Sequence, residues 1–310
     1  MRTQFCDALA AHARDPDVVF LTGDLGFMAL EPLREVMQQR FINAGVAEQN
    51  MMSVAAGLAK QKLDVWVYSI APFCYARGFE QIRNDIAFHN LPVKIVGNGG
   101  GYGYGVMGPT HHAIEDYGVL LSLPNMKAFV PVFDQDIAAV IPRAAASTGP
   151  SYLRLGRGEA PADWNVPAYA PWRQLTDGGG PVVISVGPLA GSLIATCAAQ
   201  DQAYRPNLWA VAELPLAANA MPEALVQQIS TIGQVIVAEE HVRQGSFGTD
   251  LALHLIEQGL GAVRLRHLHA TAHHFGRYGS QTYMRQQSGL DPETLLHEIA
   301  IMQMAALAAA

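Results

Sequence analysis

Charge is scarce in this chain. Only 15% of its 310 residues are Asp, Glu, Lys or Arg, against about 25% in an ordinary soluble domain, which points to extensive burial, subunit interfaces included. The balance is negative, a formal −7, and no dense Lys/Arg cluster interrupts it, so a nucleic-acid surface is argued against. Cysteine is scarcer still. Cys6, Cys74 and Cys197 are odd in number and widely spaced, which speaks against a disulfide framework and for a reducing compartment. No apolar run reaches the roughly 20 residues that cross a bilayer, and the opening "MRTQFCDALAAHARDPDVVF" has no basic-then-apolar signal order. A soluble, cytoplasmic chain without a membrane partner is expected. The closing "MAALAAA" is read as a frayed helix end or an expression-derived tail and carries no functional weight.

Several chemistries are missing as well. The glycine-rich "GNGGGYGYGVMGPTHH" (Gly97 to His112) lacks the Lys-Ser/Thr of a Walker loop, and no acidic residue ends a following strand as a dinucleotide fingerprint requires. There is no G-x-S-x-G elbow, and Cys74 has no nucleophile signature around it. His111 and His112 with Glu115 and Asp116 are ligand-type side chains, but sequence neighbours point apart, so no metal site is read there. In "RHLHATAHHFGRYG" the spacing of His267 and His269 is strand alternation, and the later pair falls in a loop. "EEH", Glu239 to His241, follows a strand and is read as support for an interface.

What is present is alternation. "DVVFLTGD", "RFINAG", "DVWVYSI", "PVKIVGNG", "KAFVPV" and "SYLRLGRG" read as strands of a first half, with helical stretches between several of them. "PVVISVG", "NLWAVAEL", "QVIVAEEH" and "AVRLRHL" repeat the pattern, with helices over about 189–203, 222–232, 246–258 and 292–304. The expected fold class is α/β: two doubly wound three-layer α/β/α domains with mostly parallel sheets. The boundaries are residues 1–159, a packed Pro- and Gly-rich linker over 160–180, and 181–310.

Ligands of open parallel sheets gather beyond the carboxyl ends of the strands, so the residues just after strands are where function is sought. In "FINAGVAEQNMMSVAAGLAKQK" a strand turns at Gly45 into a helix whose first turn carries Glu48, ahead of an almost wholly apolar segment. An acidic residue at a helix start can simply complement the dipole. It can also be a carboxylate placed in an apolar crevice to handle a proton, and the residues alone leave both readings open.

Taken together, "GVAEQNMMSVAAGLA", "FEQIRND" and "GPTHHAIED…LPNM", each at a strand end and in this order, resemble the pyrimidine-binding half of transketolase-like thiamine diphosphate enzymes. The resemblance runs through "SYLRLGRG" and, more weakly, over the second domain. It is similar to the C-terminal subunit of split transketolases. It implies that Glu48 hydrogen-bonds the aminopyrimidine and exchanges a proton with it, a task helped by an apolar crevice that favours the neutral form of a carboxyl group. It implies a flat aromatic wall from "SIAPFCYARGFEQ", supplied by Phe73 or Tyr75, with Ile70 completing it and Asp24 near the cofactor. His111 matches the histidine that binds substrate oxygen beside the reacting carbon. Arg157 of "LGRG" matches an arginine for the far phosphate of the sugar, and Arg154 is the structural alternative.

The resemblance also implies what lies elsewhere. The Gly-Asp-Gly diphosphate motif is not in this sequence, so Mg2+ or another divalent ion, with the diphosphate, is expected on a partner: the N-terminal transketolase subunit, in an α2β2 heterotetramer. Met107 stands where many relatives read the acceptor's hydroxyl with Asp, and the region of Gly99 to Gly101 lacks a phosphate-contacting His. Sugar or sugar-phosphate substrates are implied, with an unusual sugar or another carbonyl acceptor in view. The competing readings are the beta subunit of a 2-oxo acid dehydrogenase or decarboxylating carboligase, and a non-catalytic scaffold.

Overall fold

Five consecutive β-prone residues with no exposed member can only be an inner strand, and Val18–Thr22 (β1) is buried throughout. The computed structural model describes residues 1–26 and 28–307; Phe27 of "GDLGF" and the last three alanines lie outside the described residues. Around β1 the chain adds Phe41–Asn43 (β2), Asp64–Ile70 (β3), Lys94–Asn98 (β4), Lys127–Phe129 (β5) and Ser151–Leu155 (β6). Every pairing among these six is parallel. A second sheet holds Trp172–Gln174 (β7), Val182–Val186 (β8), Asn207–Val211 (β9), Gln234–Glu239 (β11) and Arg264–His269 (β12), in the order β12-β11-β8-β9-β7. Only β7 runs antiparallel there. The α/β class with two mostly parallel, helix-covered sheets is thus observed.

The strand between them corrects a sequence expectation. "NLWAVAEL", expected as one strand, divides: β9 stays in the second sheet, while Glu213–Leu214 (β10) crosses to pair antiparallel with β5 at the edge of the first. The first sheet therefore reads β10-β5-β6-β4-β3-β1-β2. β7 likewise lies in the stretch expected as a linker, 160–180.

The helix Glu48–Lys60 places Met51, Met52, Ala55, Ala56 and Ala59 on its buried stripe, at the i, i+3, i+4 spacing of a core-facing helix. Glu48 begins that same stripe. The dipole reading of this carboxylate requires an outward side chain, and the geometry gives an inward one. Beside it, residues 73–87 form a helix interrupted by two π segments, Phe73–Arg77 and Ile82–Ala87, a local widening common at functional sites. Gly78 lets the two helices meet: a Cβ there would stand 2.9 Å from Met52 Cγ.

One hydrophobic cluster continues from the first sheet into the second, joining Ala128 and Val130 to Trp172, Ile184 and Trp209. Buried charge reinforces it. Arg154 donates to Asp116 at 2.8 Å and to the carbonyls of Ala113 and Glu240. The structural alternative for Arg154 is what the geometry displays. Glu240 in turn takes Arg285 and Gln281. Burial opposes its charge, but Arg285 and then Arg154 outweigh that and hold its carboxyl below the ordinary range. Glu239 accepts from Tyr117, His267 and the amides of Phe247 and Gly248, while His241 stacks on Tyr117 at 4.0 Å. Within this chain "EEH" is therefore a joint between the two halves.

The helix Phe247–Glu257 starts on that joint, capped by Ser246, whose Oγ accepts from the Thr249 amide. Ser246→Ala should cost about 1 kcal/mol of stability, read as a lowered urea midpoint with an unchanged slope.

Candidate active site

The carboxyl ends of β1, β2, β3, β4 and β6 share one edge. Register across them is continuous: Thr22 pairs with Asn43 and Tyr68, and Ile70, Asn98 and Leu155 form a row. The connections after β1 and β2 cover opposite faces, since Leu33 and Met37 pack in one core cluster and Met51 to Ala59 in the other. That makes this edge the topological switch point.

Glu48 lies there, 5% exposed, with Oε1 accepting from Arg77 Nη1 at 2.8 Å. Its Oε2 has no hydrogen-bond partner among the described residues. The expected crevice is consequently not wholly apolar: a guanidinium, itself 46% exposed, closes it. The same group sits 3.9 Å from the centroid of the Phe73 ring, a cation–π contact. Phe73 then meets His111 edge-on at 5.1 Å. Glu48, Phe73 and His111 therefore converge, and Arg77 is the residue the sequence reading missed.

Tyr75, two residues on, is placed differently. It belongs to the core cluster and donates its hydroxyl to Glu115 Oε2 at 3.2 Å. Ile70 is half-buried at the end of β3. Asp24, exposed and at φ +46°, is bound reciprocally to Asn43: its amide donates to Asn43 Oδ1 and its Oδ1 accepts from Asn43 Nδ2. Asn43 Oδ1 also takes the amide of Gly45, whose φ of +73° suits glycine. This small network fixes the turn from which Glu48 projects.

His111 ends the short 3₁₀ turn Pro109–His111, entered through Gly108 at φ +82°. Burial first, then the Arg77 guanidinium, hold its imidazole pKa below the usual value, so it is neutral at pH 7 with Nδ1 against Thr110 Oγ1 at 2.9 Å. A loop of the second half closes over this turn: Tyr102 donates to Ala272 O at 2.7 Å, and His273 Nε2 lies 2.6 Å from Glu115 Oε1. Met107 is 56% exposed nearby in sequence, in the turn before Gly108. Arg157 is exposed two residues beyond β6, with no side-chain partner among the described residues.

A buried carboxylate at a switch point is thus linked through Arg77 to an aromatic face and an imidazole. The transketolase pyrimidine-binding domain model matches residues 1–162. This chain belongs to that family. It is 28% identical to one of the subunits of the apulose-4-phosphate transketolase of Actinobacillus succinogenes, covering 86% of each chain. It is also 28% identical to the 6-deoxy-6-sulfo-D-fructose transketolase subunit of Clostridium sp., over 96% of this chain and 94% of that one. Against the longer 1-deoxy-D-xylulose-5-phosphate synthase 1 of Geobacter sulfurreducens, at 29% identity, the match takes 93% of this chain but 45% of the relative. Among solved structures, a split-gene transketolase described as an inactive beta4 tetramer superposes with a TM-score of 0.82, at 28% identity and 96% coverage of both chains. The family is thiamine-dependent, and the two relatives matched over most of their own length are named as transketolase subunits. Among the described residues no helix is long and apolar enough to cross a membrane.

Proposed function

We propose that this chain is the C-terminal subunit of a heteromeric thiamine diphosphate-dependent transketolase, moving a two-carbon ketol unit from a ketose or ketose phosphate to an aldehyde. The observation that carries the reading is the convergence of buried Glu48 with Phe73 and His111 at the sheet's switch point. The donor set fits the pyrimidine end of the cofactor: an inward carboxylate with one oxygen unclaimed, next to an aromatic face. Bound thiamine diphosphate supplies a carbon nucleophile able to carry the ketol unit.

The chain's own residues do the rest. Glu48 holds a hydrogen bond at the ring nitrogen of the pyrimidine and passes a proton across it. Phe73, rather than the core-bound Tyr75, gives that ring its wall, with Ile70 at its margin. Asp24 acts indirectly, through Asn43, on the turn that aims Glu48. Neutral His111 hydrogen-bonds the substrate oxygen next to the breaking carbon–carbon bond, stabilising charge as it develops. Exposed Arg157 meets an anionic group at the far end of the sugar.

The diphosphate, with Mg2+ or another divalent ion, is assigned to the N-terminal subunit, since the sequence has no Gly-Asp-Gly motif; an α2β2 assembly in the cytoplasm completes the reading. The first domain is taken as residues 1–159, joined by 160–180 to a domain over 181–310. The test is turnover by the reconstituted pair of a ketose phosphate with an aldehyde, set against pyruvate. Ketol transfer is expected. Preference for pyruvate would favour the decarboxylating alternative. The chain alone should give no turnover with either donor.

A further inference from the structure

Arg77 contacts two of the three site residues and neighbours the third. Its guanidinium is planar, cationic and rich in N–H donors; it lies over the Phe73 ring and donates to Glu48 Oε1. A protonated aminopyrimidine is also a planar cation, with a ring N–H to donate. To bind as proposed above, it would place that N–H on the Glu48 carboxylate and its face on Phe73. Both groups satisfy the same two needs, a charge-assisted bond for a buried carboxylate and a cation on an aromatic face.

We propose that Arg77 is an internal stand-in for the cofactor: in the chain without its partner the Arg77 side chain occupies the pyrimidine position, and docking of the coenzyme requires it to swing away. The idea rests on the pyrimidine-site reading and adds its regulation. The geometry supplies the motive. Without Arg77, Glu48 would be a buried carboxylate with no partner among the described residues, a costly arrangement. With it, the site keeps that charge satisfied until the competing ring N–H arrives. The release path is also present, because the Arg77 side chain is 46% exposed and can be rehydrated.

Thiamine itself is the suitable probe, having the pyrimidine but no diphosphate, so that neither the metal nor the partner is needed. Its binding to the full-length chain alone would be followed by ligand-observed NMR for wild type, Arg77→Ala and Arg77→Met, with far-UV circular dichroism confirming that each variant folds. Removing the competitor should tighten thiamine binding about three- to tenfold. The gap between wild type and Arg77→Met should narrow as salt screens the Arg77–Glu48 pair. Equal or weaker binding by both variants, undetectable binding in all three proteins included, overturns the stand-in role. Adding Glu48→Ala or Phe73→Ala to Arg77→Ala separates the two ideas. If these double variants lose the binding but Arg77→Ala never exceeded wild type, the site reading stands and the stand-in fails. If they bind as well as Arg77→Ala, thiamine is docking elsewhere and both fail.

Discussion

Glu48→Ala in the reconstituted complex is expected to lower kcat by about 10²–10⁴-fold, the span a positioned acid–base group supplies. Fold and assembly should be nearly untouched. The residue begins a buried stripe, but the packing of that stripe comes from Met51, Met52, Ala55, Ala56 and Ala59, and among the described residues the only side-chain bond lost is the one to Arg77. Glu48→Gln is the sharper variant, because it keeps the volume and a hydrogen-bonding oxygen while removing the exchangeable carboxyl proton. Equal losses in the two variants would mean that proton exchange, not shape, is the contribution. Steady-state rates with saturating cofactor decide the matter, and unchanged activity in Glu48→Ala would favour the scaffold reading.

The largest stability effect is expected at Arg154. Its partner Asp116 is fully buried and also accepts from Tyr152, so Arg154→Ala leaves a buried negative charge without its cation, frees the Glu240 carbonyl and leaves the Ala113 carbonyl with the Gly101 amide alone. Breaking a buried pair from one side costs roughly 3–5 kcal/mol. Arg143→Ala makes the control: Arg143 is 49% exposed, so water can replace it beside Glu213, which also keeps the Tyr169 hydroxyl, and the loss should be smaller. Denaturant midpoints for the two variants should therefore differ widely. A small effect at Arg154 would mean that water reaches Asp116 once the guanidinium is gone. Because Ala113 follows His111 by two residues, the same change should also loosen the turn that presents His111.

Much of this was legible in the sequence, for physical reasons that differ by element. β3 was readable to its ends because "DVWVYSI" is a short β-prone run bounded by turn residues and buried along its middle. Glu48 was legible as a candidate because an apolar run follows it, but its inward direction was not, since an acidic residue at a helix start equally suits the dipole. β10 was not, since two residues change sheets only through the company of β5, and pairing across the chain leaves no local trace. β7 is three residues long in a Pro-rich stretch and owes its existence to β9. The helix Gln281–Gln287 was missed because only Gln281 and Met284 of its seven residues are buried, too few for a stripe. The helix expected over 189–203 stops at Ala198, and no breaker in "CAAQDQAYRP" before Pro206 announces the stop.

At the site, the choice between Phe73 and Tyr75 turned on a π segment. A widened turn rotates side chains away from the 3.6-residue spacing that sequence reading assumes. Arg77 left a signal that could have been used, standing four residues after Phe73 on the same helical stretch, where neighbours meet. The pairing with Glu48, across two separate helices, had none.

The measurement that tests the account most directly is a calorimetric titration of thiamine diphosphate with Mg2+ into this chain alone, into the N-terminal subunit alone, and into the two premixed. If one polypeptide holds the pyrimidine and another the diphosphate, tight saturable binding appears only in the mixture and weakens when the chain carries Glu48→Ala. Tight, metal-dependent binding by this chain without its partner would contradict it.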